Sequence, residues 1–235
     1  MFCYQPTSGY CYNSDSIFLY QFISRFQPKG NLLDVGCGVG IISLLLSRDF
    51  SLETTVIDKQ EKMLDYAKLN YGLNGLDVEA HLGDFTTDLH TEKRYDYIVS
   101  NPPFYHSNTT QSKDTHLNIA RYAHHLPLDA FFKRVKTFLK PKGWFIFCYD
   151  ARYIDVVLAT LRAYGITPET IQFVHSKIDR DSKLVMVAAR NNAKSATQVL
   201  PPYVVFDEKS CYMPQAQEAF DRAKTHSIKG DFEWN

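Results

Sequence analysis

The run Leu32-Leu-Asp-Val35, followed at once by Gly36-Cys-Gly-Val-Gly40 and then by residues 41–48, constrains the fold of this chain more than any other stretch. The short apolar run reads as a strand. The glycines let the backbone pass close to a ligand as it turns, and the residues beyond continue as a helix. The same alternation extends downstream. Strands are expected at 54–58, 78–82, 95–100 and 144–149, with helices at 61–71, 128–139 and 154–164 between or after them. In 128–139 the residues Phe131, Phe132, Val135, Phe138 and Leu139 recur at helical spacing. Gly72 and Gly165 stop two of the helices, and Pro141-Lys-Gly143 turns the chain into the fifth strand. Residues 171–175 and 183–189 read as a closing hairpin, and a helix over 15–26, capped by Asn13 or Ser14, precedes the first strand.

Strands alternating with helices imply an α/β fold: a mostly parallel seven-stranded sheet, one strand antiparallel, helices on both faces. In such sheets the ligand sits beyond the carboxyl ends of the strands, so each strand end is a candidate site. At the first, Asp34 precedes the glycines Gly36, Gly38 and Gly40. A dinucleotide fingerprint would need glycine at 41, where this chain has Ile41, so the loop suits a nucleotide better than a pyrophosphate. The alternative is a tight turn and nothing more. The second strand ends in Asp58, about 20 residues past the glycines, where a carboxylate can accept from both ribose hydroxyls. It can equally be a helix cap or a surface acid. The third is followed by Asp84 and Phe85, able to meet the amino group and ring of an adenine, with an ordinary turn aspartate as the alternative.

The fourth strand runs into Asn101-Pro-Pro-Phe104. Two prolines lock two φ angles and remove two donors, so the neighbouring carbonyls become acceptors held in place. Asn101 adds a side-chain acceptor and Phe104 a flat apolar face, a combination that suits a planar group bearing an NH2. A bare Pro-Pro would read as a strand stop; its context here favours a site.

Composition is globular, with 14% aromatic and 22% charged residues. Equal numbers of cations and anions, 26 each, leave the global charge silent about nucleic acid, so local clusters matter. Lys133, Arg134, Lys136 and Lys140 form one such cluster, and Lys177, Arg180 and Lys183 another. The five scattered cysteines contain no C-x-x-C pair and read as reduced thiols of a cytoplasmic protein. No apolar run approaches the ~18–20 residues needed to span a bilayer. His124 and His125 are adjacent, so they cannot share a helix face, and no metal site is expected.

Together, D-x-G-x-G-x-G, the acid ending the second strand, Gly83-Asp84 and Asn-Pro-Pro-Phe resemble the class I S-adenosylmethionine-dependent methyltransferases over about residues 31–190. The last motif is that of enzymes methylating a planar exocyclic nitrogen. More narrowly, Gln5-Pro-Thr-Ser-Gly-Tyr-Cys-Tyr-Asn-Ser-Asp-Ser16, Ile119-Ala-Arg-Tyr122 and Leu200-Pro-Pro-Tyr-Val-Val-Phe206 resemble the bacterial tRNA1(Val) adenine-37 N6-methyltransferase family. The chain departs from that pattern at Tyr12, Asn13 and Ala123.

The resemblance implies a Rossmann-like core over 31–190, a segment 1–30 closing over the cofactor and an extension 191–235 packed on the core. It implies S-adenosylmethionine as cofactor, held by Tyr10, Asp15, Asp34, Gly36, Cys37, Gly38, Gly40, Asp58, Lys59, Asp84, Phe85 and Asn101. Catalysis would rest on Asn101, Pro102, Pro103 and Phe104, and tRNA would be met by Arg121, Lys133, Lys177 and Arg180. Three other readings share parts of the pattern: a ribosomal-RNA guanine N2-methyltransferase, a protein-glutamine N5-methyltransferase and a non-catalytic RNA-binding relative. The glutamine enzymes typically carry a helical domain before the glycine loop, for which only about 30 residues are present here. An RNA loop suits the chain better than duplex DNA, because a loop base is already partly exposed.

Overall fold

Alternating strands and helices build one central sheet in the computed structural model, which describes residues 1–8, 11–102 and 128–231. In chain order the elements are β1 (Phe2–Gln5), α1 (Ser14–Ser24), β2 (Gly30–Val35), α2 (Ile41–Asp49), β3 (Leu52–Asp58), α3 (Glu61–Leu73), β4 (Glu79–Leu82) and β5 (Tyr95–Ser100). They continue with α4 (Leu128–Phe138), β6 (Leu139–Asp150), α5 (Ile154–Ala163), β7 (Ile166–His175), β8 (Leu184–Asn191), β9 (Gln198–Val199) and β10 (Tyr203–Val204). Last come α6 (Pro214–Ala223) and β11 (His226–Lys229).

The seven longer strands lie in the order β7-β8-β6-β5-β2-β3-β4, with the two-residue strands β9 and β10 on β7. β4, β3, β2, β5 and β6 pair in parallel, and β8 runs antiparallel to both β6 and β7. The expected α/β sheet, mostly parallel with one antiparallel strand, is what the chain forms. Because β7 shares the direction of β6, the carboxyl ends of β2 to β7 gather at one edge. The β7–β8 connection lies there too, its Lys183 carbonyl accepting from Ala151 N–H at 3.1 Å.

Side-chain alternation along the strands decides which face each residue serves. Along β6, Ile146 and Cys148 join the core under α1, α2 and α6, whereas Phe145, Phe147 and Tyr149 join the core under α4 and α5. The second core is aromatic: Phe145 and Phe147 stack at 4.4 Å, and Phe131 meets Phe145 edge-on at 5.6 Å. Burying such rings supplies a large share of the apolar driving force.

Several boundaries differ from the sequence expectation. β6 starts at Leu139, and the Pro141-Lys-Gly turn sits inside it as an irregularity between the Leu139–Tyr95 and Trp144–Tyr97 pairs. β7 starts at Ile166, directly after Gly165, and accommodates Pro168 at a register shift where no ladder donor is required. β1, β11 and α6 were not expected at all. Among the described residues β1 and β11 pair only with each other, joining distant parts of the chain, a contact with no local signature.

Candidate functional site

The glycine loop is tied down by its neighbour strand before it meets any ligand. The N–H groups of Gly36 and Cys37 both donate to Ile57 O, at 2.9 and 3.3 Å. Gly36 and Gly40 have φ of +67° and +81°, a region that favours glycine. Their surroundings differ. A Cβ added to Gly40 would come 3.1 Å from Ala67 Cβ, so this glycine lets α3 pack closely. A Cβ added to Gly36 would meet nothing within 4 Å, so this one opens onto a concavity.

Two buried carboxylates line that loop. Asp58 Oδ2 accepts from Gly38 N–H at 2.8 Å and Oδ1 from Gln60 N–H at 2.9 Å. The residue therefore pins the loop and opens α3 at once. Burial raises its pKa, while those backbone donors and Lys59 pull it down. Asp34 is less well served: Oδ2 accepts from Ser43 N–H at 3.3 Å, and Oδ1 has no partner. Burial pushes its pKa up to about 7, the Ser43 bonds oppose the rise, and Asp58 adds to it. An unpaired oxygen in such a place is costly, which makes it a place for a ligand to donate.

Asn101 stands where β5 leaves the sheet, bracketed at both ends of its amide. Cys148 Sγ–H on β6 donates to Oδ1 at 3.0 Å, and Nδ2 donates to Ser16 Oγ on α1 at 3.2 Å. Asn101 lines a narrow cleft of about 20 Å³ together with Tyr12, Ser16, Gly36, Cys37 and Val39. The structure thus brings the first and fourth strand ends, the glycine loop and the start of α1 to one place. Pro102 follows, buried. Pro103, Phe104, Tyr10 and Arg121 lie outside the described residues.

Other expected site residues sit farther from this cleft or have local duties. Asp15 is half-buried, accepts from Asn13 Nδ2 at 3.0 Å, and has its pKa raised by burial. Asp84 Oδ1 accepts from Thr86 N–H and Oγ1–H, the turn role, while Oδ2 lies 3.9 Å from Lys59 Nζ. Phe85 was expected to pack on an adenine ring. The structure turns it into the aromatic core instead, 3% exposed and 5.7 Å edge-on to Phe131. The apolar ring gains more from α4 than from a half-wet rim.

The two basic clusters fall at opposite ends of the sheet. Lys177 and Arg180 lie in the β7–β8 connection at the carboxyl edge; Lys177 Nζ donates to Glu208 O at 3.0 Å, and the Arg180 side chain is 71% exposed. Lys136 and Lys140 lie at the amino edge. Lys136 Nζ donates to Asn191 and Asn192, and Lys140 pairs with Asp96 at 2.8 Å. Arg134 is spent on Phe85 O and Leu89 O, whereas Lys133 is exposed.

Four contributing residues had no role assigned from the sequence, although Ser16 ends the segment 5–16 quoted above. Ser43 serves Asp34, and Ser16 and Cys148 serve Asn101. Asn70, fully buried on α3, donates to Val39 O in the glycine loop at 2.9 Å and accepts from Tyr4 N–H at 2.6 Å. Each works across a tertiary contact, so only the spacing of elements in space could reveal it. Among the described residues, no group of three or more His, Cys, Asp or Glu could hold a metal, and no helix is long and apolar enough to cross a membrane.

Comparison with known proteins agrees with this geometry. The family model described as "Methyltransferase small domain" matches residues 13–147. A Phocaeicola vulgatus protein named tRNA1(Val) (adenine(37)-N6)-methyltransferase is 27% identical over 160 residues, covering 67% of this chain and 68% of that one. An Aeromonas hydrophila ribosomal RNA small subunit methyltransferase C is 34% identical over 99 residues, 42% of this chain. The chain spans only 28% of the length of that relative. Among solved structures, a predicted O-methyltransferase from Agrobacterium tumefaciens superposes with a TM-score of 0.69 at 12% identity, over 91% of this chain and 99% of that chain, which speaks to the fold.

Proposed function

The chain belongs to the methyltransferase small-domain family, and from that premise we propose that it methylates N6 of an adenine in tRNA, adenosine 37 in the anticodon loop of tRNA1(Val). It is an S-adenosylmethionine-dependent N-methyltransferase, and that cofactor supplies an electrophilic sulfonium methyl group. The residues present suit such a ligand. Gly36 faces open space, Asp34 Oδ1 is a buried acceptor without a donor, and Asp58 has lone pairs beyond those its backbone donors use. Asp34, Gly36 and Cys37 would hold the amino-acid end and Asp58 the ribose, with Asp84 beside the base.

The observation that carries the reading is the placement of Asn101 in the same cleft as the glycine loop. An adenine amino nitrogen is a weak nucleophile because its lone pair is delocalised into the ring. Accepting its N–H bonds at Asn101 Oδ1 and the Pro102 carbonyl favours a more tetrahedral nitrogen and stabilises the charge that develops there, without reorganisation at the moment of reaction. Phe104 would fix the ring by stacking, worth ~1–3 kcal/mol per base. Asp15 and the thiols near Asn101 need not act as bases, since the extra proton can leave after transfer.

Labelled methyl transfer to total RNA, followed by nucleoside analysis, tests the proposal. N6-methyladenosine in one tRNA is the expected product. The ribosomal relative supports a second reading, and N2-methylguanosine in ribosomal RNA would replace the first with it.

A further inference from the structure

We propose that Cys148 and Ser16 are positioning residues that set which end of the Asn101 amide faces the substrate amine; the inference rests on Asn101 being the amine acceptor. The two ends of an amide have nearly the same shape, so packing alone does not choose between them. Hydrogen-bond partners do. If the amide turned over, its NH2 would face the Cys148 sulfur, a weak acceptor, and the reacting amine would meet a donor in place of an acceptor.

The two partners come from two separate elements, and Asn101 follows a third, β5. Cys148 projects from β6 onto the face under α1, with none of its surface exposed, and reaches Asn101 Oδ1 at 3.0 Å. Burial holds this thiol well above its ordinary pKa, so it stays S–H and can only donate at that distance with profit. Ser16, 3% exposed, enters from the first turn of α1 and accepts from Nδ2 at 3.2 Å. Oδ1 has two lone pairs; among the described residues Cys148 alone takes one, and the other is the one the substrate amine would use.

A purely structural cysteine would look different. Ile146 and Met186, its neighbours in the same core, fill space with no polar contact to the cleft. Among the described residues, only the thiol is aimed at the acceptor. Helix α1 also joins this bracket to the segment ahead of it, since Tyr12 lines the same cleft. Movement of that segment would therefore be felt at the amide through Ser16.

Steady-state kinetics on Cys148→Ala, Cys148→Val, Cys148→Ser, Ser16→Ala and Asn101→Ala in the full chain test this. Removing one net hydrogen bond should lower kcat about tenfold in Cys148→Ala and Cys148→Val, with KM for S-adenosylmethionine within about twofold. Cys148→Ser, which restores a donor, should stay within about threefold of the parent chain. Ser16→Ala should lower kcat in the same way, and this arm decides the matter if the Cys148 variants do not fold. The Cys148→Ala/Asn101→Ala double variant should lose no more than Asn101→Ala alone. Parental kcat in Cys148→Ala overturns the inference, as does equal loss in the alanine and serine variants or a multiplicative loss in the double variant. Parental kcat in Asn101→Ala would instead remove the reading of Asn101 on which it stands.

Discussion

Asp96 and Asp34 sit near opposite ends of neighbouring parallel strands, and the protein treats them differently. Asp96, at the amino edge, accepts from Asn31 N–H at 2.9 Å and pairs with Lys140 at 2.8 Å. Beside it Lys136 satisfies Asn191 and Asn192. That edge closes on itself. Asp34, near the carboxyl edge, is buried with one oxygen unpartnered, beside a glycine that opens onto space. Stability is invested where polar groups answer one another; a ligand is awaited where they do not.

The contrast breaks most readily at Asn101. Asn101→Ala should lower kcat by ~10²–10³ while leaving the affinity for S-adenosylmethionine nearly intact, measured by turnover assays beside calorimetry. Unchanged turnover would mean the carboxyl edge holds no catalytic acceptor there.

Arg180 and Lys136 sharpen it next. Arg180→Ala should raise KM for tRNA several-fold and reduce the salt slope of binding by roughly one, as loss of a phosphate contact does. Lys136→Ala should leave both unchanged, because its ammonium serves the amino edge. Equal effects in the two variants would erase the polarity of the RNA surface.

Asp34 gives a pH test. Its folded pKa, about 7, stands above the ordinary 3.8. Between those values the folded chain binds the extra proton, so the stability of the ligand-free chain should fall as pH rises from about 4 to about 7. Asp34→Asn should flatten the decline, leaving a smaller slope from Asp58, and should melt higher than the parent chain at pH 8, by ~2–4 °C per kcal/mol recovered. Thermal unfolding across pH 4–8 reads this directly; parallel curves for the two chains would show that Asp34 is paired in solution.

The smallest effect belongs to the amino edge. Both partners of the Lys140–Asp96 pair are about one-third exposed, at 38% and 35%, so solvent screens the pair. Lys140→Ala should cost less than ~1 kcal/mol by denaturant unfolding and leave kcat alone. A larger loss would mean the two edges differ less than their hydrogen bonds suggest.

Much of the fold was legible along the chain because it is written in local periods. The apolar runs of β2, β3 and β5, the helical spacing of Phe131, Phe132, Val135 and Phe138, and Gly165 after α5 each speak through neighbours a few residues apart. The glycine loop and Asn101-Pro-Pro were legible for the same reason, since a turn and a rigid corner are local matters. Phe85 misled because a lone aromatic after Gly-Asp carries no sign of which side it will take. The start of β7 was missed because Pro168 reads as a breaker until the irregular pairing with β8 is seen.

Sequence alone, then, determined the alternation of strands and helices from α1 to β8 and the residue types at each strand end, because backbone preferences act over one or two turns. Tertiary structure decided the rest: that Cys148 and Ser16 grip the two ends of Asn101, that Asn70 ties β1 to the glycine loop, and that one oxygen of Asp34 is left waiting. Those outcomes depend on distances between elements far apart in the chain, and such distances exist only once the apolar faces have packed.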